Sequence, residues 1–316
     1  MTQFRTQVPI HKSSRQIDYK SSLVSLGSCF AVNMAERLDY YKFQNTCNPF
    51  GILFHPQAIR QIIHKSVLEE KFTDEDVFFH NDLWHCFDVH SECSNPEKKV
   101  LLSNLNSLLQ LTNQHITQCS HLIITYGTSW VYRRKESGRI VANCHKVPQS
   151  HFQKELMTVA NVHSEISQTL QLIQKVNPDC TVIFTVSPVR HIKDGFIENQ
   201  ISKAHLIAAI HQETAIEVCK EYFPSYEIMM DELRDYRFYA EDMLHPNLTA
   251  VDYIWQRFSE TYISENSHSV MKEVSNIQKA LRHKPFHPQS EHYQQLVVKI
   301  QDKAKALQQQ YPHMQF

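Results

Sequence analysis

Four places in the chain set reactive residue types at useful spacings. The first is Gly27-Ser28-Cys29-Phe30-Ala31, where a hydroxyl and a thiol follow a glycine. An apolar run over 21–27 leads into it, and a helical pattern with Ala31, Met34, Ala35 and Leu38 on one face leads out. A thiol or hydroxyl at such a turn lies beside the first N–H groups of a helix. The helix dipole, worth about 0.3–1 kcal/mol at exposed sites, favours a thiolate or oxyanion there. The plainer reading makes Ser28 a helix N-cap and Cys29 a small buried side chain. The second place is Asp242-Met243-Leu244-His245, followed by Pro246. A carboxylate three residues before a histidine can accept from Nδ1–H, fix the tautomer and leave Nε2 as a general base.

The third place is Tyr126-Gly127-Thr128-Ser129-Trp130. Its two hydroxyls can donate into a site, or simply form a bulge or a strand-to-hairpin turn. The fourth is Ser187-Pro188-Val189-Arg190-His191. Arg190 suits a carboxylate or phosphate, a surface ion pair being its commoner role, and His191 stands beside it as a second candidate for substrate binding. His145, after a hairpin, can enter a site as a second imidazole or an oxyanion donor. With 20 histidines in the chain, an ordinary satisfied ring is the plain alternative. His80, His85 and His90 recur every five residues, which fits neither helix nor strand. No HExxH and no Cys/His cluster is present, so no metal is expected.

Elements must bring these places together. Buried strands are expected at 21–27, 121–127 and 181–188, and a shorter one at 226–230. Helices are expected at 30–42, 56–66, 97–118, 151–176 and 199–221, with another from Asn247 or Thr249 to about 264. Residues 76–88 read as two short strands joined by His80-Asn81-Asp82, and 129–142 as a hairpin turning at Ser137-Gly138. Alternating strands and helices predict a mostly parallel sheet covered on both faces, an α/β/α sandwich with flavodoxin-like layering. In such sheets ligands bind beyond the carboxyl ends of the strands, where all four places fall. Residues 1–265 form the expected α/β domain. Residues 266–316 are polar, interrupted by Lys284-Pro285-Phe286-His287-Pro288, and read as an appended helical extension that packs on the body or on a partner.

Composition removes other classes. Five glycines stand where average usage of about 7% would give about 22. No two of them make G-x-G-x-x-G or a P-loop, and G-x-S-x-G is absent. Lys and Arg number 32 against 33 Asp and Glu, a net charge of −1, which does not point to nucleic acid. No run of about 18 apolar residues predicts a membrane span. The N-terminus lacks the apolar stretch of a secretory signal, and none of the eight cysteines forms C-x-x-C, so a reducing cytoplasm is the expected compartment.

Together the motifs resemble the GSCFA family, named for the pentapeptide at 27–31, over roughly residues 1–265. TYGTSWVY (125–132), NCHKVP (143–148) and DELRDYRFYAEDMLHPN (231–247) are similar to it as well. The family is grouped with SGNH-type, GDSL-like hydrolases. That resemblance implies a nucleophile after the first strand, an oxyanion hole and a D-x-x-H near the end. Asp242 and His245 then orient and act as the base, and Gly51 is the second-block glycine whose N–H joins the oxyanion hole. The third block reads G-T-S-W, so Ser129, with Thr128 beside it, stands where relatives carry an asparagine. Register puts Cys29 at the nucleophile position, with Ser28 taking it if the turn is one residue shorter. The resemblance thus implies acyl hydrolysis or transfer on an ester, such as a carbohydrate acetyl ester. Two alternatives stand beside it. One is a catalytically degenerate protein that binds a glycan, nucleotide or protein, and the other an acyltransferase drawing on a CoA thioester. The tail from Asn266 is the expected contact surface if the chain forms oligomers.

Overall fold

Leu23 points to one side of the first apolar run and Val24 and Leu26 to the other, and all three are buried. A strand that is apolar on both faces belongs inside a helix-covered parallel sheet. The computed structural model describes residues 6–214, 219–283, 286–287 and 289–316, and it places that run there. The run is β1 (Ser22–Gly27), followed by α1 (Cys29–Tyr40), β2 (Gln44–Cys47) and α2 (Pro56–Val67). A hairpin, β3 (Val77–His80) and β4 (Leu83–Cys86), precedes α3 (Lys98–Gln118) and β5 (His121–Tyr126). Strands β6 (Trp130–Arg134), β7 (Ile140–Val141) and β8 (Phe152–Leu156) then form a small antiparallel sheet. Next come α4 (Val159–Val176), β9 (Thr181–Val186), α5 (Phe196–Thr214) and β10 (Lys220–Phe223). The chain continues through α6 (Ser225–Glu227), a π-helical turn at Ile228–Glu232, α7 (Leu248–Tyr262), α8 (Glu265–Arg282) and α9 (Glu291–Gln310).

The main sheet has the order β2-β1-β5-β9-β10, and every pair is parallel. The order reverses at β1, which leaves a crevice beyond the carboxyl ends of β1 and β5. Val24, Leu26, Ile124, Phe184 and Val186 face α2, α3, α4 and α5 on one side. Leu23, Ile123, Ile183 and Phe223 face Phe30, Met34 and Leu38 of α1 and Ile254 and Phe258 of α7 on the other. The result is a three-layer α/β/α sandwich. Met271, Val274 and Ile277 of α8 and Leu307 of α9 join that second face, so the C-terminal helices complete the core over α1. Among the described residues no helix is long and apolar enough to cross a membrane. All eight cysteines are free thiols.

Three expected elements differ. Residues 152–156 are strand β8, not the start of a helix. They pair with β6, and the Arg133 guanidinium grips the Glu155 carboxylate across the pair at 2.9 Å. The helix begins only at Val159, where the Thr158 hydroxyl accepts from the Asn161 N–H at 3.2 Å. Helix-favouring Gln153, Lys154 and Glu155 lengthened the apparent helix, and sheet pairing overrides that propensity. The helix expected over 199–221 starts at Phe196 and is described to Thr214, 215–218 lying outside the described residues. Its expected end is in fact edge strand β10, and the apolar 226–230 run is helical. Short apolar runs do not distinguish strand from buried helix. Here the Ser225 hydroxyl donates to the Val186 carbonyl at 2.7 Å and starts the helical turn against the end of β9. Of the interruption at 284–288, residues 284, 285 and 288 lie outside the described residues.

Candidate active site

The turn after β1 is built by exclusion. Gly27 has φ +143°, and a Cβ there would lie 2.2 Å from the Thr125 carbonyl oxygen, so only glycine brings β1 this close to β5. Asn48, after β2, clamps the turn. Its Oδ1 accepts from the Gly27 N–H at 2.8 Å, and its Nδ2 donates to the Gly27 carbonyl at 3.1 Å. Ser28 is the N-cap of α1; its hydroxyl is buried and accepts from the Phe30 N–H at 3.3 Å. Cys29 is the first helical residue and is only partly buried. Desolvation pushes the Cys29 thiol up from its ordinary pKa. The Lys203 charge and the N–H groups of Phe30 and of Cys29 itself pull it down, and the Asp242 charge pushes it up again.

Asp242 and His245 form a closed turn ahead of α7. The Ala240 N–H donates to the His245 carbonyl at 2.7 Å, Met243 takes a left-handed φ of 59°, and Asn247 caps the helix. Asp242 Oδ1 accepts from the N–H groups of Leu244 (2.9 Å) and His245 (3.0 Å), while Oδ2 accepts from His245 Nδ1 at 2.6 Å. The backbone donors first, then the imidazole, hold the Asp242 carboxyl down at about 2. With Nδ1–H held by the carboxylate, Nε2 is the nitrogen left to exchange protons. The Arg190 N–H donates to the Leu244 carbonyl at 3.2 Å, which fastens this turn to the loop leaving β9.

One further residue, passed over by the sequence reading, acts on Cys29 through its charge. Lys203, on α5, is fully buried, and Nζ donates to the carbonyls of Gly127 (2.7 Å) and Ser187 (2.6 Å). It therefore ties together the chain leaving β5 and the chain leaving β9. Burial pushes its amine down to about 7, and the Cys29 charge opposes that shift. Asn199, Ser202, Lys203, Leu206 and Ile210 share the buried face of α5. A lysine in phase with an apolar stripe was the signal in the sequence, because lysine is almost never fully buried without a reason.

The remaining candidates are placed as follows. The Thr128 and Ser129 hydroxyls are buried and engaged with Ser202. Thr128 Oγ1 meets Ser202 Oγ at 2.8 Å, and the Ser129 hydroxyl donates to the Ser202 carbonyl at 3.1 Å. The Gly51 N–H donates to the Asn48 carbonyl at 2.8 Å. These three donors thus meet protein acceptors or partners, not an open oxyanion position. His145 is buried between the rings of Phe78, His85 and Phe87, and its Nε2–H donates to the Cys86 carbonyl at 2.7 Å. Its ring belongs to that packing rather than to the Cys29 turn. His191 stacks on Phe54 with its centroid 6.1 Å away, and its buried Nε2 has no hydrogen-bond partner among the described residues. Desolvation first, then the charges of Lys203 and His245, push His191 down to about 3, so it is a neutral wall of the site. Among the described residues no three His, Cys, Asp or Glu side chains converge as metal ligands.

Cys29, Lys203, Asp242, His245 and His191 therefore share one electrostatic neighbourhood at the carboxyl end of the sheet. A partly accessible thiol on a helix N-terminus, a buried cation and a carboxylate-oriented imidazole are the parts of a nucleophilic site. No curated protein matches the chain. Two family models do: one for a GSCFA domain protein's C-terminal domain over residues 274–316, and one for the GSCFA family over residues 22–258. The second spans most of the sandwich, from β1 into α7, and with it the chain belongs to the GSCFA family.

Proposed function

We propose that the protein moves acyl groups in the manner of SGNH-type hydrolases, hydrolysing an ester or passing its acyl group to an acceptor hydroxyl. The Asp242–His245 pair, joined at 2.6 Å, carries this reading, and the Asp242 charge is felt at the Cys29 thiol. Cys29 is the nucleophile, since the Ser28 hydroxyl is buried and caps α1. Sγ attacks the ester carbonyl while its proton passes to His245 Nε2. The tetrahedral oxyanion collapses, the C–O bond breaks, and the alcohol leaves with that proton. A thioester remains on Cys29. Water, deprotonated by the same imidazole, then frees the acid; a sugar hydroxyl in its place completes a transfer. A carbohydrate acetyl ester is the proposed substrate class, and a CoA thioester is an alternative donor that enters at the acylation step. The N–H of Cys29, on the first turn of α1, supplies the oxyanion's stabilisation, and the Lys203 charge adds to it below about pH 7. Asp242 orients His245 and stays ionised throughout.

The test is hydrolysis of p-nitrophenyl acetate by wild type, Cys29→Ala, Ser28→Ala and His245→Ala. Cys29→Ala and His245→Ala are expected to lose roughly 10²–10⁴-fold in rate, the usual worth of a general base, and Ser28→Ala far less. Equal rates in wild type and His245→Ala overturn the mechanism. A second reading, binding without turnover, is favoured by the engagement of Thr128 and Ser129 with Ser202. Stoichiometric alkylation of Cys29 by iodoacetamide, slowed in His245→Ala, counts against it.

A further inference from the structure

Arg190 stands at the lip of this site, its backbone N–H bonded to the carbonyl next to His245. Its guanidinium lies over the Tyr239 ring, 4.4 Å from the centroid, and over Tyr236 at 5.2 Å. Nη1 donates to the Tyr236 hydroxyl at 3.3 Å. Among the described residues no carboxylate pairs with it, although acids are close by in the sequence that forms the site. Of those acids, Asp231 pairs with Arg234 at 2.7 Å, Asp235 with Arg237 at 3.9 Å, and Asp242 with His245. Glu232 accepts from the Val8 N–H at 2.9 Å and lies 3.7 Å from the Arg257 guanidinium. A guanidinium has five N–H donors and no acceptor. Two tyrosine rings fix its plane and leave donors unused, the arrangement that suits planar, two-point capture of an oxyanion.

Beside Arg190 opens a cavity of about 280 Å³. Met229 and Leu233, both buried, form its apolar base, and Met230, Tyr236 and Tyr239 wall it. Arg234 and Asp235 also line it, each already in an ion pair. A volume near 300 Å³ is the low end for a small-molecule site, fit for one part of a ligand. We propose that this is the anion-recognition subsite of the enzyme, selecting, among carbohydrate and other esters, those that also carry a carboxylate or phosphate on a small apolar or aromatic group. That group fills the Met229–Leu233 hollow, and the oxyanion meets Arg190 at the mouth. The proposal rests on the reading of Cys29 and His245 as the reacting centre, which sets which end of the ligand faces the chemistry.

Calorimetric titration of the full chain tests the subsite without turnover. The probes are benzoate, phenyl phosphate and the neutral isostere benzamide. Benzoate or phenyl phosphate is expected to bind at least five-fold more tightly than benzamide, and the tighter of the two identifies the anion. Arg190→Met is expected to abolish that preference, and Arg190→Lys, which keeps the charge but not the fork, to retain part of it. Equal binding of benzamide and both anions, or a preference that survives Arg190→Met, overturns the proposal. An ester assay that fails while the Arg190-dependent preference holds removes the acyl-transfer reading and leaves the subsite standing. The reverse result removes the subsite alone.

Discussion

In the proposed mechanism Lys203 is the charge that opposes desolvation of the Cys29 thiol. A thiol pushed up by desolvation is a poor nucleophile at neutral pH unless a cation shares its surroundings. The α1 N–H groups and the Lys203 ammonium are the two features that oppose desolvation here. Removing the cation in Lys203→Met should raise the Cys29 pKa further and slow its alkylation by iodoacetamide below about pH 7, where the Lys203 amine is charged. The check is alkylation rate against pH. A folded Lys203→Met protein with an unchanged profile would leave Lys203 only its structural bonds to Gly127 and Ser187. Asp242 behaves in the opposite sense. Its carboxyl is held down at about 2, below its ordinary value near 4, so the stabilisation it brings is present above pH 4 and fades as pH falls toward 2. The acid limb of any activity profile above pH 4 therefore belongs to other groups.

At the scale of elements, the site is the meeting of strand ends, and small polar clamps hold those ends in place. Asn48 bonds Gly27 twice, and Ser202 holds the chain after Gly127, its Oγ accepting from the Ser129 N–H at 2.8 Å. Asn48→Ala removes both bonds at Gly27. It should cost about 1–3 kcal/mol, as the loss of paired buried polar groups does, and lower Cys29 reactivity in parallel. Urea unfolding with alkylation kinetics on the same samples measures both, and a destabilised variant with wild-type reactivity would separate the clamp from the site. The strands that carry Gly27 and Gly127 were legible in the sequence because each is a buried apolar run that ends at a glycine. Asp242 and His245 were legible because three residues suffice to close their turn. The clamps were not. Asn48, Ser202 and Lys203 act across separations of 16 to 76 residues, and local pattern carries no record of such partners. Gly51, Thr128 and Ser129 sit at sequence positions that the family pattern marks, but their donors turn inward.

For the whole molecule, acid stability should follow from buried neutral histidines. His55 caps α2, its Nδ1 accepting from the Ala58 N–H at 3.2 Å and its Nε2–H donating to the Val141 carbonyl at 3.1 Å. Burial pushes both His55 and His145 down to about 4. Between pH 6.5 and 4 the unfolded chain takes up protons at these rings and the folded chain does not. Their contribution is thus full above pH 6.5 and is lost as pH falls toward 4, on the order of 3 kcal/mol for each ring. Burial raises Asp88, Glu221 and Glu227, which act in the opposite direction, so the comparison must be with a variant. His55→Asn keeps a capping side chain and should show a smaller loss of unfolding free energy from pH 6.5 to 4 than wild type. Equal losses would mean that His55 does not titrate on unfolding.

The C-terminal helices have a consequence for how the chain is made. Gln278 donates to the Tyr40 carbonyl at 3.3 Å across 238 residues, and the His313 ring meets the Lys42 carbonyl at 3.2 Å across 271. Both contacts lie at the far end of the helix that begins with Cys29. On a ribosome Cys29 emerges 249 residues before Gln278 and 284 before His313, the two residues that bond the far end of its helix. The nascent chain thus carries Cys29 through that interval on a helix whose far end still lacks both bonds.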